Sequence, residues 1–366
     1  MIDLARRVAG RRLAGTAFEE KVEVDRILRR LSTKTVLRAV GSVSTRTPVA
    51  RVFSRHLLRR AEPEIRDLLD VQSDMGGCED GIAALRVAAL GGLPDADALL
   101  DRALLSSDEE VRSAAIQNLG ELDSLQARRV LVESLRVGTF VRSRVAAQLE
   151  GRSPISLRVL RPLLEDARPI ARYWGAILLA PLAHEPEARD ALLIAAADDR
   201  AEVRAGAAES LRRGHSGSAT QMLISLLRDR SARVCIHAAR SLGRRRAVVA
   251  AKPLASLLRD SNWSVRRAAK GALVEIGGLS AAAVSPLLDG KDEFARNGAA
   301  EVLQGLGVVR GLVDDLEEST ESARRAAAAD LAPILSAGGD GFTTAALGHL
   351  GEAAHARAHH LVDSVP

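Results

Sequence analysis

The chain has 366 residues, with 52 Lys and Arg against 47 Asp and Glu, two cysteines and only 2% aromatic residues. So few aromatics argue against a sheet-built or ordinary mixed core, and two cysteines provide neither a disulfide framework nor a CxxC metal pair. No apolar run nears the roughly eighteen residues of a membrane span, and "MIDLARRVAGRRLAG" lacks the apolar core of a secretory signal, so a cytoplasmic location is expected.

The N-terminal end is the basic end. Residues 1–60 hold 15 Lys and Arg and 5 Asp and Glu, and no acid falls between Arg26 and Arg60. Arg26, Arg30, Lys34 and Arg38 step by four, as do Arg51, Arg55 and Arg59. Ile27, Leu28, Leu31 and Val40 accompany the first set, and Val52, Phe53 and Leu57 the second. This spacing predicts two amphipathic helices joined by "GSVSTRTP" (41–48), each with a basic stripe. They form a basic N-terminal cap, residues 1–72. Such stripes suit an acidic protein, an anionic membrane surface or a nucleic-acid backbone, or are simply solvated. "SDMGGCEDG" (73–81) reads as the joint between this cap and a regular array.

From residue 73 to 336 the chain repeats itself. "SLLRDRSARVCIHAARSL" (225–242) and "SLLRDSNWSVRRAAKGAL" (256–273) are near-copies. Anchors fall at Arg86, Arg112, Arg142, Arg172, Arg204, Cys235, Arg266, Arg296 and Arg324. Seven positions after each is a leucine: Leu93, Leu119, Leu149, Leu179, Leu211, Leu242, Leu273, Leu303 and Leu331. A small residue or Val stands at +3 and an apolar residue at −1, so three positions share one helix face. A second apolar pattern lies upstream of each anchor, as in "ATQMLISLL" (219–227). The unit is two short helices and two turns, and only stacking buries its apolar face. Asp80, Asp166, Asp198, Asp229 and Asp260 stand six before an anchor, in the turn between the helices. Pro162, Pro253 and Pro286 are expected near first-helix starts, and Gly120, Gly243 and Gly277 at second-helix stops.

The Asp, the "VR" six residues on, the "AA" and the final Leu resemble the HEAT-repeat family, and most closely its short PBS-lyase-type HEAT-like repeats. The resemblance covers about residues 80–335. It implies an all-α, right-handed α-α superhelix, here a solenoid of about 10–11 helical hairpins, with second helices on the concave side. It also implies a hydrogen-bonded Asp–Arg ladder between successive repeats. Cys235 replaces a ladder Arg, and Ser106, Arg136, Gly290 and Glu318 replace a ladder Asp, so rungs should break there. "SAGGDGFTT" (336–344) leads into a C-terminal capping hairpin, residues 337–366.

Catalytic chemistry is not expected. The ladder residues recur too regularly for a catalytic group. His184–Glu185 resembles the His-Glu pairs of deoxyhypusine hydroxylases, but that family uses several. His349, His355, His359 and His360 lack a Cys or carboxylate constellation. Trp174 and Trp263 invite comparison with DNA-alkylation-repeat glycosylases, yet eight aromatics in all are poor provision for stacking bases. Cys235 reads as a buried hydrophobe, and no P-loop, GxSxG or dinucleotide fingerprint occurs.

The expected function is a non-enzymatic scaffold that holds a protein partner along the concave surface. Its candidate contacts are Phe140, Arg233, Trp263, Arg267 and Phe294, pattern-breaking residues near second-helix starts. Candidates for an anionic partner are Arg26, Arg30, Lys34, Arg38, Arg51, Arg55 and Arg59. The alternatives are nucleic-acid backbone binding through those stripes, and an enzyme like the bilin lyases or alkylation-repeat glycosylases. No cofactor or metal is called for.

Overall fold

The computed structural model describes residues 29–42, 48–70, 79–122, 124–138, 140–150, 155–214, 216–318 and 320–347. Every regular element among them is helical, as the composition requires. Two compact units emerge, Met1–Pro162 and Leu163–Pro366.

In the first unit, α1 (Thr33–Ser42) and α2 (Pro48–Asp70) pack on each other and on α3 (Glu79–Gly91). Two helices joined near residues 41–48 are therefore present, but α1 begins only at Thr33, so Arg30 and Leu31, expected on the first helix, precede it. Val36, Leu37 and Val40 of α1 meet a core of Phe53, Leu57 and Ile65 from α2 and Leu85 and Ala88 from α3, all buried. α2 bends at Ala61 (φ −143°, ψ 36°), two residues before Pro63. Pro63 has no N–H for the carbonyl one turn back, and its ring crowds that turn. Arg66 beyond the bend donates to both Asp95 carboxylate oxygens, at 2.9 and 3.0 Å, just before α4 (Ala96–Ala103). The unit continues through α5 (Glu109–Leu119), α6 (Leu125–Val137) and α7 (Arg142–Glu150) into α8 (Leu157–Leu164). Gly138 closes α6 in the left-handed region, at φ +80°.

The second unit runs through α9 (Pro169–Leu178), α10 (Pro186–Ala195), α11 (Ala201–Ser210), α12 (Gly217–Leu226) and α13 (Ala232–Arg244). It goes on with α14 (Ala251–Ser256), α15 (Trp263–Ile276), α16 (Ala281–Val284), α17 (Glu293–Gly305), α18 (Val308–Glu318) and α19 (Glu321–Leu347). The second helices α9, α11, α13, α15, α17 and α19 each touch the next of their kind and form one layer. Ser216, Asn262 and Asp292 cap α12, α15 and α17 by accepting a backbone N–H of the first turn.

The nine leucines at +7 are all buried, none more than 5% exposed. The nine residues at +3 are buried as well. At −1 the pattern fails in two places. Val141 is 62% exposed because α7 starts only at Arg142, about a turn later than its counterparts, and Ala323 is half-buried.

Two groups of punctuation residues work differently from expectation. Of the three glycines, only Gly277 stops a helix with positive φ, at +93°. Gly243 lies within α13, where a Cβ would come within 2.6 Å of the Ala272 Cα of α15. Gly120 similarly makes room for Gln148 of α7. These two set helix spacing. Pro162 sits inside α8, Pro253 is the third residue of the six-residue α14, and Pro286 lies in a 3₁₀ turn after α16. The missing N–H groups leave these first helices short, and 3₁₀ turns flank α14 and α16. α19 breaks at Gly339 (φ +76°), inside the expected joint "SAGGDGFTT".

Candidate functional site

Most anchor arginines first close their own hairpin. Arg172 donates to the Asp166 and Ala167 carbonyls at 3.0 and 3.1 Å, and Arg204 to those of Asp198 and Asp199 at 2.9 and 3.0 Å. Arg112 and Arg266 do the same five and six residues back, and Arg296 reaches the Gly290 carbonyl. Arg86 differs and donates to the Val40 and Gly41 carbonyls of α1. The others satisfy carbonyls that the first helix leaves open at its end. At Cys235 the thiol donates to the equivalent carbonyl, that of Asp229, at 3.2 Å. Burial, with the Asp229 and Asp260 carboxylates behind it, pushes this thiol above the ordinary cysteine range, so it is a poor nucleophile.

Two of these guanidinium groups then reach the next repeat. Arg172 grips Asp198 with two bonds, at 2.7 and 2.9 Å, and adds Asp199 at 2.9 Å. Arg204 grips Asp229 at 2.7 and 2.8 Å, with the two side chains only 8% and 9% exposed. Each Asp also accepts the N–H two residues on, which fixes its turn. Donating to these carboxylates raises the pKa of Arg172 and of Arg204.

The ladder then stops at the places where the sequence departs from it. Cys235 cannot reach Asp260, and Gly290 offers Arg266 no carboxylate. Arg266 instead lies over the Phe294 ring, 4.1 Å from its centre. On the same helix as Arg266, the next residue, Arg267, lies over the ring of Trp263 at 4.9 Å. Trp263 is 59% exposed and Phe294 57%, in a protein whose bulky apolar residues are otherwise mostly core.

Around these rings the outward positions of the second helices carry distinct chemistry. α13 shows Arg233, Arg240 and Arg244, spaced seven and four apart on one stripe. Among the described residues none of the three forms an ion pair. His237 lies between them, its Nδ1 3.5 Å from Glu209 of α11. Burial pushes its pKa below the usual value; Glu209 opposes this, and Arg233 and Arg240 add to it. On the far side Lys270 of α15 pairs with Glu301 of α17. The basic stripe is therefore bordered by acids on α11 and α17.

Four of the five candidate contacts thus belong to one layer: Arg233, Trp263, Arg267 and Phe294. Phe140 lies in the other unit, half-buried in the turn before α7. Arg240 and Arg244 were missed, although their spacing from Arg233 was readable. The N-terminal stripe is partly neutralised within its unit. Lys34 and Arg38 lie 3.6 and 3.5 Å from Asp80, and Arg51 lies 3.8 Å from Glu121. Arg30 is exposed in the turn before α1, and Arg55 and Arg59 stay exposed with no acidic partner among the described residues. Arg26 and His349, His355, His359 and His360 lie outside the described residues. Glu185 is the residue before α10, and among the described residues no three His, Cys, Asp or Glu gather to hold a metal. Trp174 is half-buried, edge-on to Tyr173 at 5.3 Å between ring centres. No described helix is long and apolar enough to cross a membrane.

Comparison with known proteins gives the repeat its family. Residues 220–304 match HEAT repeats. No curated protein matches the sequence. Among solved structures, the complex of CpcE and CpcF of phycocyanin lyase from Nostoc sp. PCC7120 is 23% identical, covers 59% of this chain and 97% of its own, and has a TM-score of 0.35. Human deoxyhypusine hydroxylase is 19% identical over 68% of this chain and 97% of its own, TM-score 0.30. Yeast importin-beta is 12% identical over 96% of this chain and 58% of its own, TM-score 0.45.

Proposed function

We propose that the chain, a HEAT-repeat protein, is a non-enzymatic scaffold whose protein partner docks on the outward face of α13, α15 and α17. The observation that carries this reading is the pairing of Trp263 and Phe294, both more than half exposed, with unpaired arginines where the ladder lapses. Repeats with intact rungs commit their guanidinium groups to holding neighbours together. Here the half-buried anchor Arg266 turns to the Phe294 ring and its exposed neighbour Arg267 to Trp263, and aromatic and Arg side chains dominate interface energetics. Rings held under guanidinium groups are also pre-set, so less rotamer freedom is lost on binding.

The test is affinity capture from cells of the source organism with the intact chain as bait. The W263A/F294A double variant should lose a specific partner that an R55E/R59E variant keeps. A partner captured equally by both would refute the assignment of this face.

A second reading is favoured only by Arg55 and Arg59, exposed and unpaired on α2. They suit a nucleic-acid backbone, whose binding would weaken steeply with salt and be lost in R55E/R59E. Lys34, Arg38 and Arg51, already facing carboxylates, make this footprint small.

A further inference from the structure

The face assigned above has an internal order that narrows the partner. Arg233 and Phe294 are each the second residue of α13 and α17, and Trp263 is the first of α15, one position before the equivalent place. All three are exposed. These helices are successive neighbours in one layer. Packed helix axes lie about 8–10 Å apart, and a chain in the extended polyproline II conformation advances about 3.1 Å per residue and turns once every three residues. Such a chain crossing the layer therefore brings every third residue, on the same face, over a new helix.

Charge fixes what each residue should be. At the α13 end three arginines lack partners. At the α17 end Glu293 adjoins Phe294, and Glu301 lies further along the same helix. A carboxylate is welcome over α13, where no acid among the described residues offsets Arg233; at α17 Lys270 already pairs with Glu301 and Arg266 already covers the Phe294 ring, which leaves that ring as an apolar contact, so an acid-to-apolar order is favoured along the row. The same acids, with Glu209 on α11, disfavour a uniformly charged strand such as single-stranded nucleic acid, although its bases could stack on Trp263.

Resting on the scaffold reading, we propose that the partner segment is an extended acidic peptide read at every third residue. It sets a carboxylate on Arg233, an aromatic side chain on Trp263 and an aliphatic one on Phe294. Arg267 over the Trp263 ring and Arg240 further along α13 favour further acids at the intervening positions.

The experiment is fluorescence anisotropy of the full chain with labelled synthetic peptides. The first is Glu-x-x-Phe-x-x-Leu in a Gly/Ser background, made in both chain directions. Its controls have the same composition at two-residue spacing, Lys in place of Glu, and a labelled single-stranded oligothymidine. One direction of the three-residue peptide should bind saturably, with the respaced and Lys peptides about tenfold weaker or worse. R233E should weaken the Glu peptide about tenfold and strengthen the Lys peptide. That swap reports pairing and cannot come from a folding defect. W263A/F294A, checked by circular dichroism for intact helices, should lose both. Equal affinity for respaced peptides, indifference to R233E, no saturable peptide binding, or tighter binding of the oligothymidine would overturn the proposal. If the peptides fail while cellular capture still depends on Trp263 and Phe294, only the partner class falls. If capture is also indifferent to those rings, the docking face falls with it.

Discussion

Asp229 and Asp260 occupy the same place in successive repeats and differ in one partner. Each accepts the N–H two residues on, from Ser231 at 2.8 Å and from Asn262 at 2.7 Å. Only Asp229 also receives a guanidinium, that of Arg204. Alanine at either site removes the same turn bond, a loss of about 1 kcal/mol. D229A additionally strands a guanidinium that is 8% exposed. Breaking a buried pair from one side costs about 3–5 kcal/mol. Arg204 keeps its two carbonyl acceptors, which favours the lower end. D229A should therefore lose about 3 kcal/mol more than D260A, roughly a hundredfold in an opening equilibrium. Repeat arrays need not unfold in one step, so native-state hydrogen exchange of peptides from α11 and α13 is the suitable assay, supported by urea unfolding. pH supplies a second check. Burial would raise the Asp229 carboxyl, but Arg204 and the Ser231 N–H outweigh it and hold its pKa below the ordinary carboxylate value. Its contribution is complete above the unfolded pKa of about 3.9 and is lost as pH falls through the lower folded value. The gap between wild type and D229A should be constant near neutrality and close in acid. Equal losses in D229A and D260A would refute the view that the rung stabilises the stack.

Other substitutions have equally definite outcomes. C235R restores a guanidinium opposite Asp260 and should raise the urea midpoint, by about 2 kcal/mol of stability; an unchanged or lower midpoint would show that the site cannot accept the rung. Leu242→Ala should cost about 2–5 kcal/mol, since the side chain is fully buried, whereas Leu279→Ala, at an exposed position, should stay within about 0.5. Gly243→Ala drives a methyl against the Ala272 backbone and should cost about 1–3 kcal/mol in the same unfolding assay. In a C78S background, Cys235 should react slowly with a disulfide reagent in the native protein and quickly in urea, because burial raises its thiol pKa.

The repeat was legible because one constraint recurs: a leucine wedged between neighbours must return at one offset, and all nine did so and are buried. The ladder breaks were legible for the same reason, since Cys235 and Gly290 lack the required groups. What replaced a rung was not legible. That Arg266 would turn to Phe294 depends on a ring in the next repeat coming within 4.1 Å. That Lys34, Arg38 and Arg51 of the basic stripe would face acids was not legible, because Asp80 and Glu121 lie far along the chain and meet them only through folding. Glycine was ambiguous in the same way. Gly243 and Gly277 both come directly after a buried helical aliphatic residue, but one marks where a neighbouring backbone passes and the other where the chain turns.

Because anchors such as Arg112, Arg172, Arg204 and Arg266 satisfy the turn of their own hairpin, with or without a neighbour to grip, a copied segment of some thirty residues brings its closure with it. Duplication then leaves no orphaned carbonyls at either seam, and the lost rung at Cys235 stays a local defect instead of spreading. An array wired in this way can grow, shrink or specialise one module at a time, and the likeness of residues 225–242 to 256–273, which share SLLRD, a Val, an Ala and the final Leu at the same places, has the form that such copying takes.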